Sequence, residues 1–302
     1  GRFGDAVLAW EASLAQSASK KNWADHFTYC LDFGRLFMDV NMDRLALRCF
    51  NKVLEPPEVG QTEIDDDPAS PALVRRHALL LKAICLLNEA EGDPKAEVSA
   101  CLELWLHAEG QTCGSEDQPP LEARIAKWRE AAGTTAGADS SVALGLLLLL
   151  QGPDSAAPQV FAEALRAPED SASCFGGPAR YAARWNMFGA VLAKRGLYKS
   201  ALQAYGQALG HQPAYPRALM NSAVAHSEVG EHREAVACYA FVLGKIPIWS
   251  TDGVWPALKK AISDLPDSED LAEAAEAKNL TKVRALLGPE LTKEVEPFST
   301  FE

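Results

Sequence analysis

Two consecutive stretches of 34 residues decide the fold: AARWNMFGAVLAKRGLYKSALQAYGQALGHQPAY at 182–215 and PRALMNSAVAHSEVGEHREAVACYAFVLGKIPIW at 216–249. When one is laid on the other, six places fit one pattern, with small residues at most of them, a tyrosine at one and a proline at another. The matching residues are Phe188, Gly189, Ala201, Tyr205, Ala208 and Pro213 in the first stretch, and Ser222, Ala223, Ala235, Tyr239, Val242 and Pro247 in the second. Self-similarity at such a period is typical of stacked helical repeats.

The period and this pattern of side chains are those of the tetratricopeptide repeat, a helix–turn–helix unit. Small residues such as Gly189 and Ala201 allow two antiparallel helices to pack closely, and Tyr205 is expected to fill the gap to the next unit. Gly196 and Gly230 fall at the turns between paired helices, where a left-handed backbone is needed. The sequence therefore predicts an all-α fold, a tetratricopeptide-repeat superhelix (a solenoid) with a C-terminal helical cap.

Weaker copies of the pattern occur upstream, and each again pairs a glycine with an aromatic residue sixteen positions later. The first copy contains Gly34 and Phe50, and the second contains Gly145 and Phe161. In the second copy, the predicted groove-facing residues are all apolar: Val142, Ala143, Leu146, Leu149 and Leu150. An all-round apolar helix is normally buried on every side. The sequence is compatible with two arrangements: these side chains contact neighbouring helices, or they line an open pocket for an apolar anchor.

The pattern divides the chain into three parts. Residues 1–135 are predicted to form N-terminal helical repeats, 136–249 C-terminal tetratricopeptide repeats, and 250–302 a helical cap and tail. Gly1–Leu14 has the pattern of the second helix of a repeat without its first, so we expect the chain to be part of a longer protein. Outside the repeats, helices are predicted at 71–90, 95–108, 120–132, 254–264, 268–278 and 281–287.

Local signals indicate how the last two of these helices begin. Asp267 or Ser268 is expected to cap the helix at 268–278, and Thr281 the helix at 281–287, because short oxygen-bearing side chains are preferred at helix N-caps.

Composition limits the function. The net charge of −12, from 29 basic and 41 acidic residues, argues against nucleic acid or an anionic membrane surface as the main partner. The longest apolar run is far shorter than the roughly 20 residues that cross a bilayer, so no membrane insertion is expected. The seven cysteines include no CxxC pair, which favours a reducing compartment with free thiols.

The chain has no pattern that indicates catalysis. The six histidines show no metal-ligand spacing, and no phosphate-binding glycine loop or nucleophile elbow is present. We therefore predict no catalytic residues, no metal, no cofactor and no enzymatic activity. Because a solenoid offers an extended concave surface, the function to expect is binding of a protein or peptide.

Four short segments carry a more specific resemblance. In order, they are WNMFGAVLA at 185–193, YPRALMN at 215–221, GEHREAV at 230–236 and IWST at 248–251. This part of the chain resembles the tetratricopeptide cargo-binding domain of the peroxisomal type-1 targeting signal receptor, the peroxin five family. The resemblance implies a groove that binds an extended C-terminal peptide of the Ser-Lys-Leu type. It also implies a cytoplasmic, peroxisome-associated receptor in protein transport, while the sequence leaves other organelles open.

The resemblance assigns the peptide-binding roles to three residues. By this analogy, Asn186 and Asn221 grip the peptide backbone, and Arg217 holds the terminal carboxylate. Arg217 and Asn221 are four residues apart, so they share one face of a helix. A guanidinium paired with an amide suits a carboxylate ligand.

Two departures from the family pattern leave a second function open. Lys194 and Glu228 stand where the family has groove asparagines. Glu228 places a negative charge on the face where a carboxylate ligand would bind. The alternative is therefore a non-catalytic scaffold subunit that has lost peptide binding and is held in a larger protein assembly.

Overall fold

The computed structural model describes most of the chain in nine stretches. These are residues 23–39, 42–55, 71–89, 93–108, 119–131, 133–152, 156–166, 181–245 and 253–288, together with the single positions 8, 12 and 291. The described residues form fourteen helices and no strand. The helices are α1 (Trp23–Asp39), α2 (Asp43–Leu54), α3 (Pro71–Glu89), α4 (Lys95–Ala108), α5 (Leu121–Ala131), α6 (Gly133–Leu149), α7 (Ala157–Arg166), α8 (Tyr181–Lys194), α9 (Tyr198–His211), α10 (Pro216–Glu228), α11 (His232–Lys245), α12 (Val254–Ser263), α13 (Glu269–Glu276) and α14 (Leu280–Leu287).

The helices pack mainly with their neighbours in the chain, and they fall into two compact units. Unit 1 comprises residues 1–176 and unit 2 comprises residues 177–302. In unit 1, α1 packs on α2, α2 on α3, α3 on α4, and α6 on α7. In unit 2, α8 packs on α9, α9 on α10, α10 on α11, and α11 on α12. The prediction of an all-α chain of sequentially packed helices is confirmed, and the three-part division of the chain stays a prediction.

The same contact holds three of the helix pairs together. A glycine on the first helix faces an aromatic ring on the second, so closely that a Cβ added to the glycine would lie less than 3.0 Å from the ring. The three pairs are Gly34 with Phe50, Gly145 with Phe161, and Gly189 with Tyr205. All three rings are buried at 2 % exposure or less. The ring of Tyr205, expected in the gap to the next unit, thus lies against the glycine of its own pair.

Glycines also shape two of the turns between helices in unit 2. Gly196, between α8 and α9, has a φ of 76°, and Gly230, between α10 and α11, has a φ of 83°. A positive φ is strained for residues that carry a side chain, so glycine is the residue that these turns require. The turn role predicted for both glycines is confirmed.

The C-terminal part of α6, from Asp139 to Leu149, is buried except for Leu148, which is partly exposed. Of the five predicted groove-facing residues, Val142, Ala143, Leu146 and Leu149 are at most 3 % exposed, and Leu150, just past the helix, is partly exposed. The covering elements include α5 and α7, with additional packing from α3 and α4. Within the described residues, these side chains are therefore core, and they do not line an open pocket.

The last three helices of unit 2 pack onto α11 and onto one another. α12 packs on α11 and α13 on α12, and α14 returns to α11. Arg284 on α14 donates a hydrogen bond to the Ala240 carbonyl at 3.1 Å, while its guanidinium lies over Gly244. From the other side, Arg233 on α11 donates to the Leu287 carbonyl at 3.4 Å. A side chain at Gly244 would occupy the space that the guanidinium fills.

The cap residues predicted for these helices need correction. α14 begins one residue earlier than predicted, and Thr281 lies inside it. The cap is Asn279, whose Oδ1 accepts a hydrogen bond from the Lys282 N–H at 3.0 Å. Ser268 is in the N-cap position of α13, but its side chain makes no capping hydrogen bond. Its hydroxyl instead lies within donating distance of the Leu265 and Ile262 carbonyls, at 3.0 and 3.1 Å.

Candidate functional site

Helix α10 presents one accessible stripe, and three of the residues discussed above lie on it. From Arg217 to Glu228, the partly or fully exposed positions are 217, 220, 221, 224, 227 and 228, and the others are buried. This is the spacing of a single helical face. We call Arg217, Asn221, Val224 and Glu228 the α10 stripe. It begins with a positive charge, passes an amide and an apolar side chain, and ends with a negative charge.

A side-chain hydrogen bond connects the α10 stripe to helix α8. Asn221 Nδ2 donates to Asn186 Oδ1 at 2.9 Å, which joins α10 to α8, two helices that also pack together. Asn186 is only 4 % exposed, whereas Asn221 is partly exposed. The bond uses one N–H of Asn221 and orients its amide, which has a second N–H and an oxygen for other partners.

The three residues assigned by the resemblance thus have unequal positions. Asn186 and Asn221 are brought together, and Arg217 lies one helical turn before Asn221 on the same face, partly exposed. Asn186 lies beneath the surface as a support for Asn221. A role of these residues in peptide binding stays a prediction.

The two residues that depart from the family pattern lie on the surface. Lys194 is the last residue of α8 and Glu228 the last of α10, and both are exposed. Among the described residues, no ion pair involves Glu228. The neighbouring Glu231 differs, because its carboxylate is 2.7 Å from Nδ1 of the buried His226. Glu228 is therefore an accessible negative charge at the end of the α10 stripe.

Unit 1 contains a cluster of three polar side chains, Arg35, His77 and Asp139, that the sequence analysis did not single out. His77 Nε2 on α3 lies 3.8 Å from Asp139 Oδ2 on α6, and His77 Nδ1 lies 3.4 Å from Arg35 Nη2 on α1. His77 and Asp139 are 6 % and 4 % exposed. The three residues are far apart in sequence and share no motif. The packing of α1, α3 and α6 brings them together.

The described cysteines are buried, free thiols, as predicted. They are Cys30, Cys49, Cys85 and Cys101 in unit 1 and Cys238 in unit 2. Burial raises the pKa of the Cys30, Cys49 and Cys238 thiols to about 12. It also raises the pKa of Cys85 and Cys101. A thiol is a nucleophile only as the thiolate, so these five are poor nucleophiles at neutral pH. Cys113 and Cys174 lie outside the described residues.

In the described part of the chain, no group of three or more His, Cys, Asp or Glu side chains is arranged to hold a metal ion. None of the helices described has both the length and the apolar character that crossing a bilayer requires. Comparison of the chain with family models and with curated proteins gives no match. The class defined by the structure is an all-helical protein whose helices pack in consecutive pairs.

Proposed function

We propose that this chain is a tetratricopeptide-repeat module that binds the C-terminal segment of a partner protein on the accessible faces of α8 and α10. The observation that carries the proposal is the 2.9 Å hydrogen bond between Asn221 and Asn186. A surface amide held by a buried amide is pre-organised, so less rotational freedom is lost when a peptide binds to it. Arg217 lies on the same face, one turn away.

Each residue then has a distinct role. The Arg217 guanidinium binds the terminal carboxylate, since a planar fork of N–H donors matches two carboxylate oxygens. Asn221 binds the peptide backbone, because an amide both donates and accepts hydrogen bonds. Asn186 acts as a positioning residue that holds the Asn221 amide. No catalytic group and no cofactor takes part, so the proposed function is binding without chemistry.

The resemblance of residues 185–251 supports a finer version of the proposal. In that version the protein is a divergent relative of the peroxisomal type-1 targeting signal receptor and works in the cytoplasm and at the peroxisome. Its ligands are protein C-termini of the Ser-Lys-Leu type. Nucleic acid is not a partner, because the chain carries a net charge of −12.

A specific observation favours a second function, that of a scaffold subunit without peptide binding. Asn186, one of the two assigned amides, is 4 % exposed, and its oxygen is already hydrogen-bonded to Asn221. Lys194 and Glu228 also replace the asparagines that the resembled family has on this face. In this alternative, the helix surfaces contact other subunits of a larger assembly.

A titration with labelled peptides tests the proposal. The probe is a ten-residue peptide that ends in Ser-Lys-Leu after seven uncharged residues, compared with its C-terminal amide. We expect micromolar binding of the free acid and none of the amide. Arg217→Ala should weaken binding by about 1.5–3 kcal/mol, the range for hydrogen bonds to charged groups. Lys260→Ala, which removes a positive charge from the exposed surface of α12, is the matched control and should not change the affinity.

The results separate the two functions. One result is that the natural chain binds neither peptide but the double variant Lys194→Asn with Glu228→Asn binds the free acid. This result supports the scaffold function and the descent from the peroxisomal receptor family. If the double variant also ignores the free acid while keeping its helical circular dichroism, the peptide-binding proposal and the family resemblance are both wrong.

A further inference from the structure

The α10 stripe has opposite charges at its two ends, and the negative end is not needed for binding a carboxylate. Arg217 and Glu228 are eleven residues apart on one helical face. At 1.5 Å per residue, their Cα atoms are separated by about 16 Å along the helix. An extended peptide advances about 3.3 Å per residue, so a ligand that reaches both ends spans about five residues.

We infer that Glu228 is a specificity-determining residue, which selects C-terminal peptides with a lysine or arginine about five residues before the terminal carboxylate. The inference rests on the proposed function and names its class of ligand. It commits to one occupant, an extended C-terminal segment lying along α10 with its carboxylate at Arg217.

Charge complementarity carries the inference. A free C-terminus brings a negative charge to Arg217, and a basic side chain upstream brings a positive charge to Glu228. The Glu228 carboxylate is exposed, and no ion pair within the described residues neutralises it. Between the two charges lies Val224, which is 50 % exposed and gives an apolar contact to the middle of the peptide. A ligand of this class therefore matches the stripe along its whole length.

The size of the effect follows from the exposure of the site. An exposed ion pair strengthens binding by up to about fivefold, and a like-charge contact weakens it by a similar factor. Exchanging a ligand lysine for glutamate changes an attraction into a repulsion, so we expect about a tenfold difference in affinity at low salt. The difference should shrink as salt screens these exposed charges. Lys194, at the end of the neighbouring α8, opposes the attraction, so Lys194→Ala should increase the preference for lysine.

The test uses a panel of ten-residue peptides with a free carboxylate. A single lysine is moved from the fourth to the eighth residue before the end, and a glutamate is moved through the same positions. We expect lysine to be preferred most strongly around the fifth residue. Glu228→Lys should reverse that preference and leave the requirement for the free carboxylate unchanged. Glu269→Lys makes the same charge change on the exposed surface of α13 and should leave the preference as it is.

The outcomes distinguish this inference from the function on which it rests. If free acids bind and amides do not, but lysine and glutamate peptides bind equally or Glu228→Lys leaves the preference intact, the inference is wrong and the proposed function stands. If no peptide of the panel binds to the natural chain, both are overturned. A preference that reverses in Glu228→Lys and persists in Glu269→Lys supports both.

Discussion

In unit 1, the ring that lies against the glycine of a helix pair belongs to a phenylalanine, whereas in unit 2 it belongs to a tyrosine. The contact itself is the same, because in each case the glycine leaves room for the ring between two helices. The polar side chains are arranged differently. In unit 1, His77 and Asp139 are buried together, whereas in unit 2 the buried Asn186 holds the accessible Asn221. Three helix pairs thus share one apolar contact, while the polar side chains of the two units differ in their burial.

The largest expected effect comes from removing the ring in each unit. Phe161→Ala and Tyr205→Ala each leave a cavity beside a glycine, which should reduce the free energy of unfolding by about 3–5 kcal/mol. Tyr205→Phe keeps the ring and is the matched control, with a much smaller loss. Urea denaturation followed by circular dichroism measures all three. If Tyr205→Ala unfolds at the urea concentration of the natural protein, the ring contact in unit 2 does not hold its helix pair together.

Filling the glycine side of the contact should have a smaller effect. Gly145→Ala and Gly189→Ala place a Cβ within 3.0 Å of a buried ring, so the ring or the helix must move. The expected cost is about 1–3 kcal/mol, as for other over-packed cores. Gly253→Ala is the control, since nothing lies within 4 Å of its Cβ position and its φ is −80°. Equal melting temperatures for all three variants and the natural protein would contradict the close packing.

The smallest effect concerns the buried thiols, which are unevenly divided. Four of the described cysteines lie in unit 1 and one in unit 2. Burial raises the pKa of the Cys30, Cys49 and Cys238 thiols to about 12, whereas in the unfolded chain a thiol loses its proton near its ordinary pKa of 9.0. Between these values the folded state binds more protons, so the stability falls as the pH rises. From pH 7 to pH 9 the loss should be about 0.4 kcal/mol for each thiol whose pKa is raised to about 12, and Cys85 and Cys101 change the stability in the same direction.

Hydrogen exchange can measure this difference unit by unit. Amides of α3, in unit 1, and of α9, in unit 2, are followed at pH 7 and pH 9, after correction for the intrinsic exchange rate. We expect the greater loss of protection in α3. Tyr205, whose pKa is raised by burial, affects unit 2 only at higher pH, because the ordinary pKa of tyrosine is 10.0. A greater loss in α9 would show that the thiols do not control the alkaline stability.

Much of the fold could be predicted because its signals are local. Helices predicted at 71–90 and 95–108 are observed as Pro71–Glu89 and Lys95–Ala108. Helical periodicity and turn residues are properties of neighbouring positions, so a single sequence contains them. The spacing of sixteen residues between a glycine and its aromatic partner also spans only one helix pair. The sequence therefore marked both members of each pair, but it placed Tyr205 in the gap to the next unit, and the structure places the ring on Gly189 of the same pair.

The candidate site was predicted less completely. The sequence placed Arg217 and Asn221 on one helical face, because a spacing of four residues determines this. The tertiary structure decided that Asn186 is buried and hydrogen-bonded to Asn221, 35 positions away. It likewise placed Arg284 on Gly244 and His77 beside Asp139. Such contacts depend on how each helix is rotated and how deeply it packs. Those quantities follow from the fit of all the side chains at an interface, which local sequence patterns do not contain.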